Sequence, residues 1–572
     1  MAAPVAPGPP VTVAATFCAT LVDEWIRNGV RHAVVAPGSR STPLALALAA
    51  RAGDGLTLHV FHDERSAAFA ALGLGRATGV PAVLLCTSGT AAANFHPAVV
   101  EAHQDDVPLV VCTADRPPEL RDVAAPQTID QSGLYGRAVR WSFDPGVPDD
   151  ALRGTWRSLA CRAVLDALGP RPGPVHLNLP FRDPLVGTPA ALPAGAPGGV
   201  PWHAAFVGRG VVDGDALDAL VALLDEPRGV IVAGAGAGDP AAVHALADAT
   251  GWPVLADPRS GCRSPEPATV AAADALLRHA RFAADHAPTV VLRLGFPPAS
   301  KVLAQWLAAS GARQVQVHAA ASWIDPDHLV TRVVADPAAL CRTLATRLRG
   351  AAGTPWSARW RHAEERAQAA LTAATAPSLT EPAVARTLAG ALPDGAALVV
   401  SSSMPVRDVE WYMAPRVGLT VHANRGANGI DGVVSTAVGV ALADPDRPVA
   451  LLIGDLAFLH DANGLLALRT RHVHLTIVVV DNRGGGIFNF LPQRTALPVE
   501  RFEQLFGTPA DTDPAAVAAA HGLDVTVVAS LDELRAGVAH QHPGTRVLVV
   551  RSDRDANVAA HDAVHLAVSA AL

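Results

Sequence analysis

An aspartate and an asparagine, 27 positions apart, offer the oxygen ligands that a divalent cation prefers. Asp455 ends the apolar run VALLIGD, and Asn482 follows the next run, LTIVVVD. If these runs are neighbouring parallel strands, both side chains lie at the carboxyl edge of a sheet, where open α/β sheets bind ligands. An Asp carboxylate, an Asn amide oxygen and a backbone carbonyl at Gly484 would hold one face of Mg²⁺, and a diphosphate would supply most of the other ligands.

Three glycines follow this candidate metal site, at 484–486. Because they have no Cβ, Gly484 and Gly485 let the backbone approach phosphate oxygens closely. A strand-end aspartate and an ordinary glycine-rich turn would explain each element alone, but the spacing GDL…DNRGGGIF (454–488) resembles the signature of thiamine diphosphate enzymes. The resemblance implies a thiamine diphosphate site with the cofactor-binding residues Gly454, Asp455, Leu456, Asn482, Gly484, Gly485, Ile487 and Phe488.

The same resemblance implies that the metal is Mg²⁺, with Mn²⁺ as an alternative, and that its ligands are Asp455, Asn482 and Gly484. Ile487 or Phe488 would support the thiazolium ring and bend the cofactor, although core packing explains these apolar side chains equally well. Two residues depart from the signature: Leu456 replaces a third glycine, and Asp481 replaces the first of two asparagines. Neither change removes a predicted ligand, because the metal-binding asparagine is the second.

Thiamine chemistry also needs a carboxylic acid that hydrogen-bonds N1′ of the aminopyrimidine. Glu64 follows the apolar run LTLHVFH (56–62) and opens the helical pattern ERSAAFAALGLGRATG. A carboxylate at this position could simply stabilise a helix dipole. Given the candidate cofactor site, however, Glu64 is predicted to be the catalytic residue. Its neighbour Asp63 is predicted to cap the helix.

The elements that must position these residues alternate along the chain. Short runs that are apolar on both faces alternate with longer helical patterns, which indicates parallel strands covered by helices. Between the two metal ligands a helix is predicted over 461–471. The apolar runs occupy 32–37, 56–62, 82–88, 109–114, 229–236, 289–295, 313–319, 397–403, 449–455, 475–481 and 546–552.

Two interruptions divide this alternation into three parts. The Pro- and Gly-rich segment 187–204 is typical of a linker, and a second break lies around 350–380. The sequence therefore predicts an α/β protein of three doubly wound parallel-sheet domains, and the resemblance implies that they are of the thiamine diphosphate enzyme type. The expected bounds are 1–188 for an N-terminal pyrimidine-binding domain, 205–350 for a central α/β domain and 378–572 for a C-terminal diphosphate-binding domain.

The composition argues against several kinds of function. The chain of 572 residues carries a net charge of −8 without a basic block, so nothing predicts binding to nucleic acid. The N-terminus MAAPVAPGPP has no signal-peptide pattern, and no apolar run reaches the roughly 18 residues of a membrane helix. Six scattered cysteines, none spaced as CxxC, indicate reduced thiols. A cytoplasmic protein without membrane insertion is expected.

Six longer segments are similar to the MenD family, the 2-succinyl-5-enolpyruvyl-6-hydroxy-3-cyclohexene-1-carboxylate synthases of menaquinone biosynthesis. They are APGSRSTPLALAL (36–48), 61–79, 87–102, TADRPPELRDVAAPQTIDQ (113–131), 423–439 and 454–466. Their PGSRSTP and TADRPPEL strings are more specific than the cofactor signature, and the matches run from the first domain to the last. The resemblance implies a transferase that decarboxylates 2-oxoglutarate and adds the resulting carbanion to isochorismate.

Both of these substrates are dicarboxylates, which arginine forks or a lysine would bind when water is excluded. The resemblance implies that substrate-binding residues are Ser39, Arg40, Gln127, Ser403, Arg407 and Arg425, and Lys301 is a further candidate on its own sequence evidence. Surface solvation is the alternative for any single arginine, and Arg116 is a weaker candidate. Lys301 is the only lysine in the sequence, which suggests a position that rejects arginine, with chance survival as the alternative. The family usually has a basic residue beside it, where this chain has Val302.

The resemblance also implies a homodimer, or a dimer of dimers, with active sites at the interface. Each site would combine the diphosphate-binding half of one copy with Glu64 of the partner subunit, across an isologous interface.

Two other functions stay open at this stage. An acetolactate synthase or another 2-oxoacid decarboxylase would share the metal site and Glu64 but would lack PGSRSTP. A dinucleotide-dependent oxidoreductase would bind its cofactor at VAGAGAGD (232–239), but the glycine spacing is loose, and a packing turn in the central domain is preferred.

Overall fold

Parallel sheets dominate the fold, as the runs of Val, Leu and Ile predict. The computed structural model describes residues 9–206, 208, 210–320, 322–348, 354–466, 468–539 and 542–572. Across these ranges the strands form three six-stranded sheets, and all neighbouring strands are parallel. Parallel sheets are covered by helices on both faces, which explains why the central strands are buried along their whole length.

The first and third sheets share one strand order. The first contains β1 His32–Val35, β2 Thr57–Val60, β3 Ala82–Cys86, β4 Leu109–Asp115, β5 Trp141–Phe143 and β6 Pro174–Pro180, in the order β2-β1-β3-β4-β6-β5. The second contains β7 Gly229–Ala233, β8 Val254–Ala256, β9 Thr269–Val270, β10 Val290–Leu294, β11 Arg313–His318 and β12 Val330–Val334, in the order β12-β11-β10-β7-β8-β9. The third contains β13 Ala397–Val400, β14 Thr420–Ala423, β15 Val449–Gly454, β16 Leu475–Asp481, β17 Asp524–Val528 and β18 Thr545–Arg551, in the order β14-β13-β15-β16-β18-β17.

Helices connect the strands. They are α1 Val13–Arg27, α2 Thr42–Ala49, α3 Glu64–Thr78, α4 Thr90–Asn94, α5 His96–Gln104, α6 Trp156–Leu168, α7 Gly214–Leu224, α8 Pro240–Thr250, α9 Ala273–Leu277, α10 Ala280–Asp285, α11 Lys301–Ala309, α12 Pro337–Arg347, α13 Pro355–Thr375, α14 Glu381–Ala391, α15 Met404–Tyr412, α16 Val433–Ala443, α17 Asp455–His460, α18 Gln493–Ala496, α19 Val499–Phe502, α20 Pro514–Ala520, α21 Leu531–Ala539 and α22 Arg554–Ala571. None of the described helices is long and apolar enough to cross a membrane.

Two predicted segments differ from the structure. The helix predicted over 461–471 is wrong: the α-helix is α17, which begins at Asp455, and 3₁₀ turns follow at 462–465 and 468–470. The second break contains regular structure that the sequence did not indicate, because α13 fills 355–375 and buries Trp356 and Trp360. Residues 349–353 of that break lie outside the described residues. The linker at 187–204 is confirmed, with one short 3₁₀ turn at Pro197–Gly199.

Two compact units contain these elements. The described residues of 1–207, together with 424–444 and 461–466, form the first unit. The described residues of 208–423, 445–460 and 467–572 form the second. The first unit thus holds the first sheet and helix α16, and the second unit holds the second and third sheets.

Candidate active site

Asp455 lies in the second unit, where β15 passes directly into α17. Its side chain is buried, and Oδ2 accepts the N–H of Gly484 at 2.7 Å. Burial raises the pKa of Asp455 to about 6, against the lowering effect of hydrogen bonds from the N–H groups of Leu456 and Gly484. A cation bound to this carboxylate would offset the cost of the buried negative charge.

Asn482 follows β16, the strand beside β15 in the third sheet, so the two predicted ligands come from neighbouring strand ends. Its Nδ2 donates to Oε1 of Glu381 at 3.0 Å. Its Oδ1 is buried and has no hydrogen-bond partner among the described residues. A buried acceptor without a donor is uncommon and costly. Asn482 therefore presents an oxygen suited to a cation, and this donor set fits Mg²⁺ or Mn²⁺.

The glycine-rich loop packs closely against the backbone at 506–507. Gly484 has φ +143°, and a Cβ there would lie 2.2 Å from the carbonyl oxygen of Gly507. A Cβ on Gly485 would lie 2.4 Å from the carbonyl oxygen of Phe506. The Gly484 carbonyl accepts the N–H of Gly486 at 2.9 Å, which leaves one lone pair for a metal. Protein packing alone thus requires the first two glycines.

The remaining predicted cofactor residues surround this loop. A Cβ on Gly454 would meet no atom within 4 Å, so open space lies beside the strand end. Leu456 is half-buried on α17. Ile487 and Phe488 are also half-buried: Ile487 packs on a hydrophobic cluster, and the Phe488 ring lies 5.5 Å from the ring of Phe506. The structure is therefore compatible with either packing or cofactor contact at these two positions.

Asp481 has a structural explanation for its departure from the signature. Its buried carboxylate accepts a hydrogen bond from Arg551, which also donates to Asp513 at 3.0 Å. Arg551 lies opposite Asp481 on β18, the strand that pairs with β16. Both oxygens of Asp481 thus accept hydrogen bonds, Oδ2 from Arg551 and Oδ1 from the N–H of Arg483 at 3.2 Å.

Glu64 is the first residue of α3 in the first unit and follows the end of β2. Asp63 is the N-cap, and its Oδ1 accepts the N–H of Ser66 at 2.8 Å, which confirms the predicted capping role. The half-buried Glu64 side chain is thus not needed to cap the helix.

Two arginines of the first unit have unsatisfied donors. Arg40 follows β1 and is buried, and its Nη1 donates to the carbonyl of Phe181 at 2.8 Å. The Nε atoms of Arg40 and Arg116 are buried without a partner among the described residues. Desolvation, then the charge of Arg116, lowers the pKa of Arg40, and Asp183 at 3.7 Å compensates only in part. Buried guanidinium donors in excess of carboxylates are suited to an anionic ligand. Ser39, beside Arg40, is exposed.

Two other predicted substrate residues adopt a strained backbone. Gln127 has φ +56° and exchanges hydrogen bonds with Ser88: its Nε2 donates to the Ser88 carbonyl at 3.0 Å, and Ser88 Oγ donates to the Gln127 carbonyl at 2.9 Å. Ser403 has φ +75°, and its carbonyl accepts a hydrogen bond from Arg407. Such conformations cost about 1–3 kcal/mol each in non-glycine residues and cluster at functional sites.

Lys301 begins α11 in the second unit and is exposed, while Val302 packs against a hydrophobic cluster. The N–H of Ser300, the N-cap of α11, donates to Oε1 of Glu410 at 3.0 Å. Glu410 lies on α15 with Arg407. This bond therefore ties the helix of Lys301 to the helix of Arg407.

Arg425 belongs to the first unit, in a loop held by a residue that the sequence did not indicate. Glu101 of α5 is buried, and its two carboxylate oxygens accept the N–H groups of Gly426 and Ala427 at 2.8 and 2.6 Å. Glu381 was missed as well. The sequence around Glu381, TEP, indicates only a helix start, whereas Glu101 lies near the end of 87–102, a segment similar to the MenD family.

The glycine-rich turn after β7 is a packing turn, as preferred. A Cβ on Gly234 would lie 1.6 Å from the carbonyl oxygen of Phe296. Asp239 caps α8 by accepting the N–H of Ala241 at 3.1 Å, and Pro240 lacks an N–H. A dinucleotide would need this helix N-terminus for its pyrophosphate. The geometry does not favour the oxidoreductase alternative.

Known protein families match all three sheet regions. Residues 15–134 match the model described as "Thiamine pyrophosphate enzyme, N-terminal TPP binding domain", residues 215–400 match "Middle domain of thiamine pyrophosphate", and residues 408–550 match "Thiamine pyrophosphate enzyme, C-terminal TPP binding domain". A solved benzoylformate decarboxylase from Polynucleobacter necessarius has the same fold, with a TM-score of 0.73 and 19% identity over 95% of this chain and 99% of that one. Fold and site thus define a thiamine pyrophosphate (thiamine diphosphate) enzyme.

Relatives of nearly full length narrow the class. The 2-succinyl-5-enolpyruvyl-6-hydroxy-3-cyclohexene-1-carboxylate synthases of Chloroflexus aurantiacus and Myxococcus xanthus are each 44% identical, over 97% and 96% of this chain and 96% and 97% of their own lengths. That of Halobacterium salinarum is 45% identical, over 94% of this chain and 95% of its own length. The chain belongs to this synthase family.

Proposed function

We propose that this chain catalyses the thiamine-diphosphate-dependent decarboxylation of 2-oxoglutarate and the conjugate addition of the resulting carbanion to isochorismate. The products are 2-succinyl-5-enolpyruvyl-6-hydroxy-3-cyclohexene-1-carboxylate and CO₂, in a transferase step of menaquinone biosynthesis. The observation that carries the proposal is the 44% identity, over 97% of the chain, to a relative named for this synthase. An acetolactate synthase would leave the excess of arginine donors in the first unit without a role.

The second unit would hold the diphosphate and its metal. Asp455 and Asn482 would bind Mg²⁺ or Mn²⁺ with the Gly484 carbonyl. This role is supported by Oδ1 of Asn482, which is buried and accepts no hydrogen bond from the part of the chain that the structure describes. Gly454, Leu456, Gly485, Ile487 and Phe488 would line the cofactor. When bound, the cofactor supplies the thiazolium that stores the electron pair left by departing CO₂.

Glu64 would hold a proton at N1′ of the aminopyrimidine. Its position at the start of α3 supports this role because Asp63 serves as the cap, so capping does not require the carboxyl group of Glu64. Holding a proton at one ring nitrogen requires a carboxyl group at a fixed point, and a helix N-terminus after a strand end provides one.

Charged and strained loops would bind the substrate carboxylates. Arg40 is supported by its buried Nε, which has no partner among the described residues, and the same observation makes Arg116 a stronger candidate than its sequence context suggested. The strained backbones of Gln127 and Ser403 support contacts at those loops. Ser39, Lys301, Arg407 and Arg425 complete the proposed set.

The active assembly would be a homodimer or a dimer of dimers in the cytoplasm, with each site shared between two copies. All six cysteines are buried and unpaired, which suits a reducing compartment. Mixing inactive Glu64→Gln and Asp455→Asn chains tests the sharing. Random reassortment should restore about a quarter of wild-type activity, because half of the dimers then carry one intact site. No recovery after verified subunit exchange would contradict shared sites.

The substrate proposal is tested by CO₂ release. With thiamine diphosphate and Mg²⁺, the purified chain should release CO₂ from 2-oxoglutarate much faster than from pyruvate. The Arg40→Ala variant should lose this preference chiefly through a higher KM for 2-oxoglutarate. A preference for pyruvate would favour the acetolactate-synthase alternative.

A further inference from the structure

The amide of Asn482 must be oriented before it can serve as a metal ligand. An asparagine amide has an oxygen acceptor and an NH₂ donor of nearly the same shape, and only the oxygen binds a cation. Rotation of the amide by half a turn would present NH₂ in place of the oxygen. Some neighbouring group must therefore select one orientation.

Glu381 is the neighbour that accepts a hydrogen bond from the amide nitrogen of Asn482. It is the first residue of α14, is buried, and lies 101 positions from Asn482 in the sequence. Its Oε1 accepts two hydrogen bonds, from Nδ2 of Asn482 at 3.0 Å and from Oγ of Ser552 at 3.0 Å. The rotated amide would bring Oδ1 of Asn482 against this oxygen, so that two acceptors faced each other.

Ser552 follows β18 and donates to the same carboxylate oxygen of Glu381 that accepts the amide of Asn482. Its own backbone N–H donates to the carbonyl of Asp481 at 2.9 Å, so the serine is held beside the residue that precedes Asn482. The carboxylate of Glu381 is thereby anchored between the ends of β16 and β18. An acidic residue at a helix start can act on the dipole alone, but that role does not require these two hydrogen bonds.

We propose that Glu381 is a positioning residue that holds the Asn482 amide with Oδ1 towards the bound cation. The inference rests on the proposed function, because it assigns Asn482 to the metal. Glu381 itself does not touch the metal. It acts by removing the orientation in which a nitrogen faces the cation.

Mn²⁺ binding provides a test that does not depend on turnover. The free Mn²⁺ signal in electron paramagnetic resonance is titrated with the purified chain and thiamine diphosphate. Glu381→Met, which removes the acceptor at similar length, should raise the Kd for Mn²⁺ about tenfold, as loss of partners behind metal ligands typically does. Glu381→Gln should give a Kd between those of wild type and Glu381→Met, because its amide oxygen can accept the same bond but its NH₂ can also donate to Oδ1 of the rotated Asn482.

Ser552→Ala is the matched control. It removes the other hydrogen bond to Oε1 and keeps the acceptor for Asn482, so the Kd should stay within about twofold of wild type. The Asn482→Asp variant distinguishes an effect on the orientation of the amide from a general effect on the structure around the metal site. In Asn482→Asp the ligand has two equivalent oxygens, so adding Glu381→Met should not weaken Mn²⁺ binding further.

The outcomes distinguish a failure of the proposed metal site from a failure of the positioning role of Glu381. If wild type retains Mn²⁺ no better than Asp455→Asn, the proposed metal site fails. If wild type binds Mn²⁺ and Glu381→Met binds it within about twofold, the positioning role is overturned. An equal loss in the Asn482→Asp background would also overturn it. Should Glu381→Met not fold, Glu381→Asp keeps the charge but falls one methylene short, and an unchanged Kd for that variant would have the same meaning.

Discussion

Helix α3, which begins with Glu64, packs against α16 through glycines. Both helices lie in the first unit and are buried along most of their length. A Cβ on Gly439 of α16 would lie 2.0 Å from the carbonyl oxygen of Ala70 and 3.0 Å from its Cα. A Cβ on Gly73 of α3 would lie 2.2 Å from the carbonyl oxygen of Thr436. The two helix backbones are therefore in direct contact, and a residue larger than glycine at either position would force them apart.

Gly439→Ala should destabilise the first unit strongly. A C···O contact of about 3.3 Å requires the helices to separate by roughly 1.3 Å from the 2.0 Å of the present geometry. The added methyl group meets a backbone carbonyl, which cannot turn aside as a flexible side chain can. The loss of stability should therefore be about 4 kcal/mol, at or slightly above the upper end of the costs measured for overpacked cores. Alanine recovers about 1 kcal/mol of helix propensity, so the net loss should be about 3 kcal/mol.

Gly390→Ala is the control, because Gly390 lies exposed on α14 and a Cβ there would meet no atom within 4 Å. This variant should keep only the propensity gain of up to about 1 kcal/mol. Differential scanning calorimetry of the cofactor-free chains should show a midpoint about 6–12 °C lower for Gly439→Ala in the transition of the first unit. For Gly390→Ala the midpoint should be unchanged or higher. An unchanged or raised midpoint for Gly439→Ala would refute the reasoning.

Three further variants test individual residues. Glu64→Gln should keep metal and cofactor binding but lower turnover by about a hundredfold or more; calorimetric binding and turnover are compared, and unchanged turnover would contradict its role. Burial, followed by the charges of Asp257 and Asp274, raises the pKa of Glu410 to about 8. The free energy of unfolding of wild type should therefore fall as the pH rises from about 4.5 to 8, by a few kcal/mol at most. Glu410→Gln should lack this pH dependence and be more stable than wild type at pH 8, as measured by urea unfolding. Parallel pH profiles of the two chains would argue against a raised pKa for Glu410. Glu101→Gln places an NH₂ group against a backbone N–H donor, which should loosen the Arg425 loop. The variant should therefore raise the substrate KM severalfold more than it lowers kcat. An unchanged KM in steady-state kinetics would show that Glu101 does not position this loop for the substrate.

Much of the sheet architecture could be predicted because central parallel strands are apolar on both faces. The strands that the pattern did not indicate include edge strands such as β5, β12 and β17, whose burial is partial. The helix predicted over 461–471 failed for a tertiary reason. Asp461 is buried and accepts the backbone N–H of Ser435 at 2.7 Å, so this segment follows a contact that its local sequence does not encode.

The candidate site divides in the same way. Asp455 and Asn482 could be found because strand ends and glycine spacing are local features. Glu381 and Glu101 could not, since each acts on a segment more than a hundred positions away. Asp481 looked like a departure from the signature, and its explanation, the ion pair with Arg551, is visible only in three dimensions.

Product analysis tests the central claim most directly. The purified chain, with thiamine diphosphate and Mg²⁺, is given carbon-labelled 2-oxoglutarate and isochorismate, and CO₂ and the adduct are quantified by mass spectrometry. The account predicts equal amounts of CO₂ and of 2-succinyl-5-enolpyruvyl-6-hydroxy-3-cyclohexene-1-carboxylate carrying the remaining label, and adduct formation by the Glu64→Gln chain that is slower by about a hundredfold or more. CO₂ release without the adduct, or an adduct formed from pyruvate instead, would contradict it.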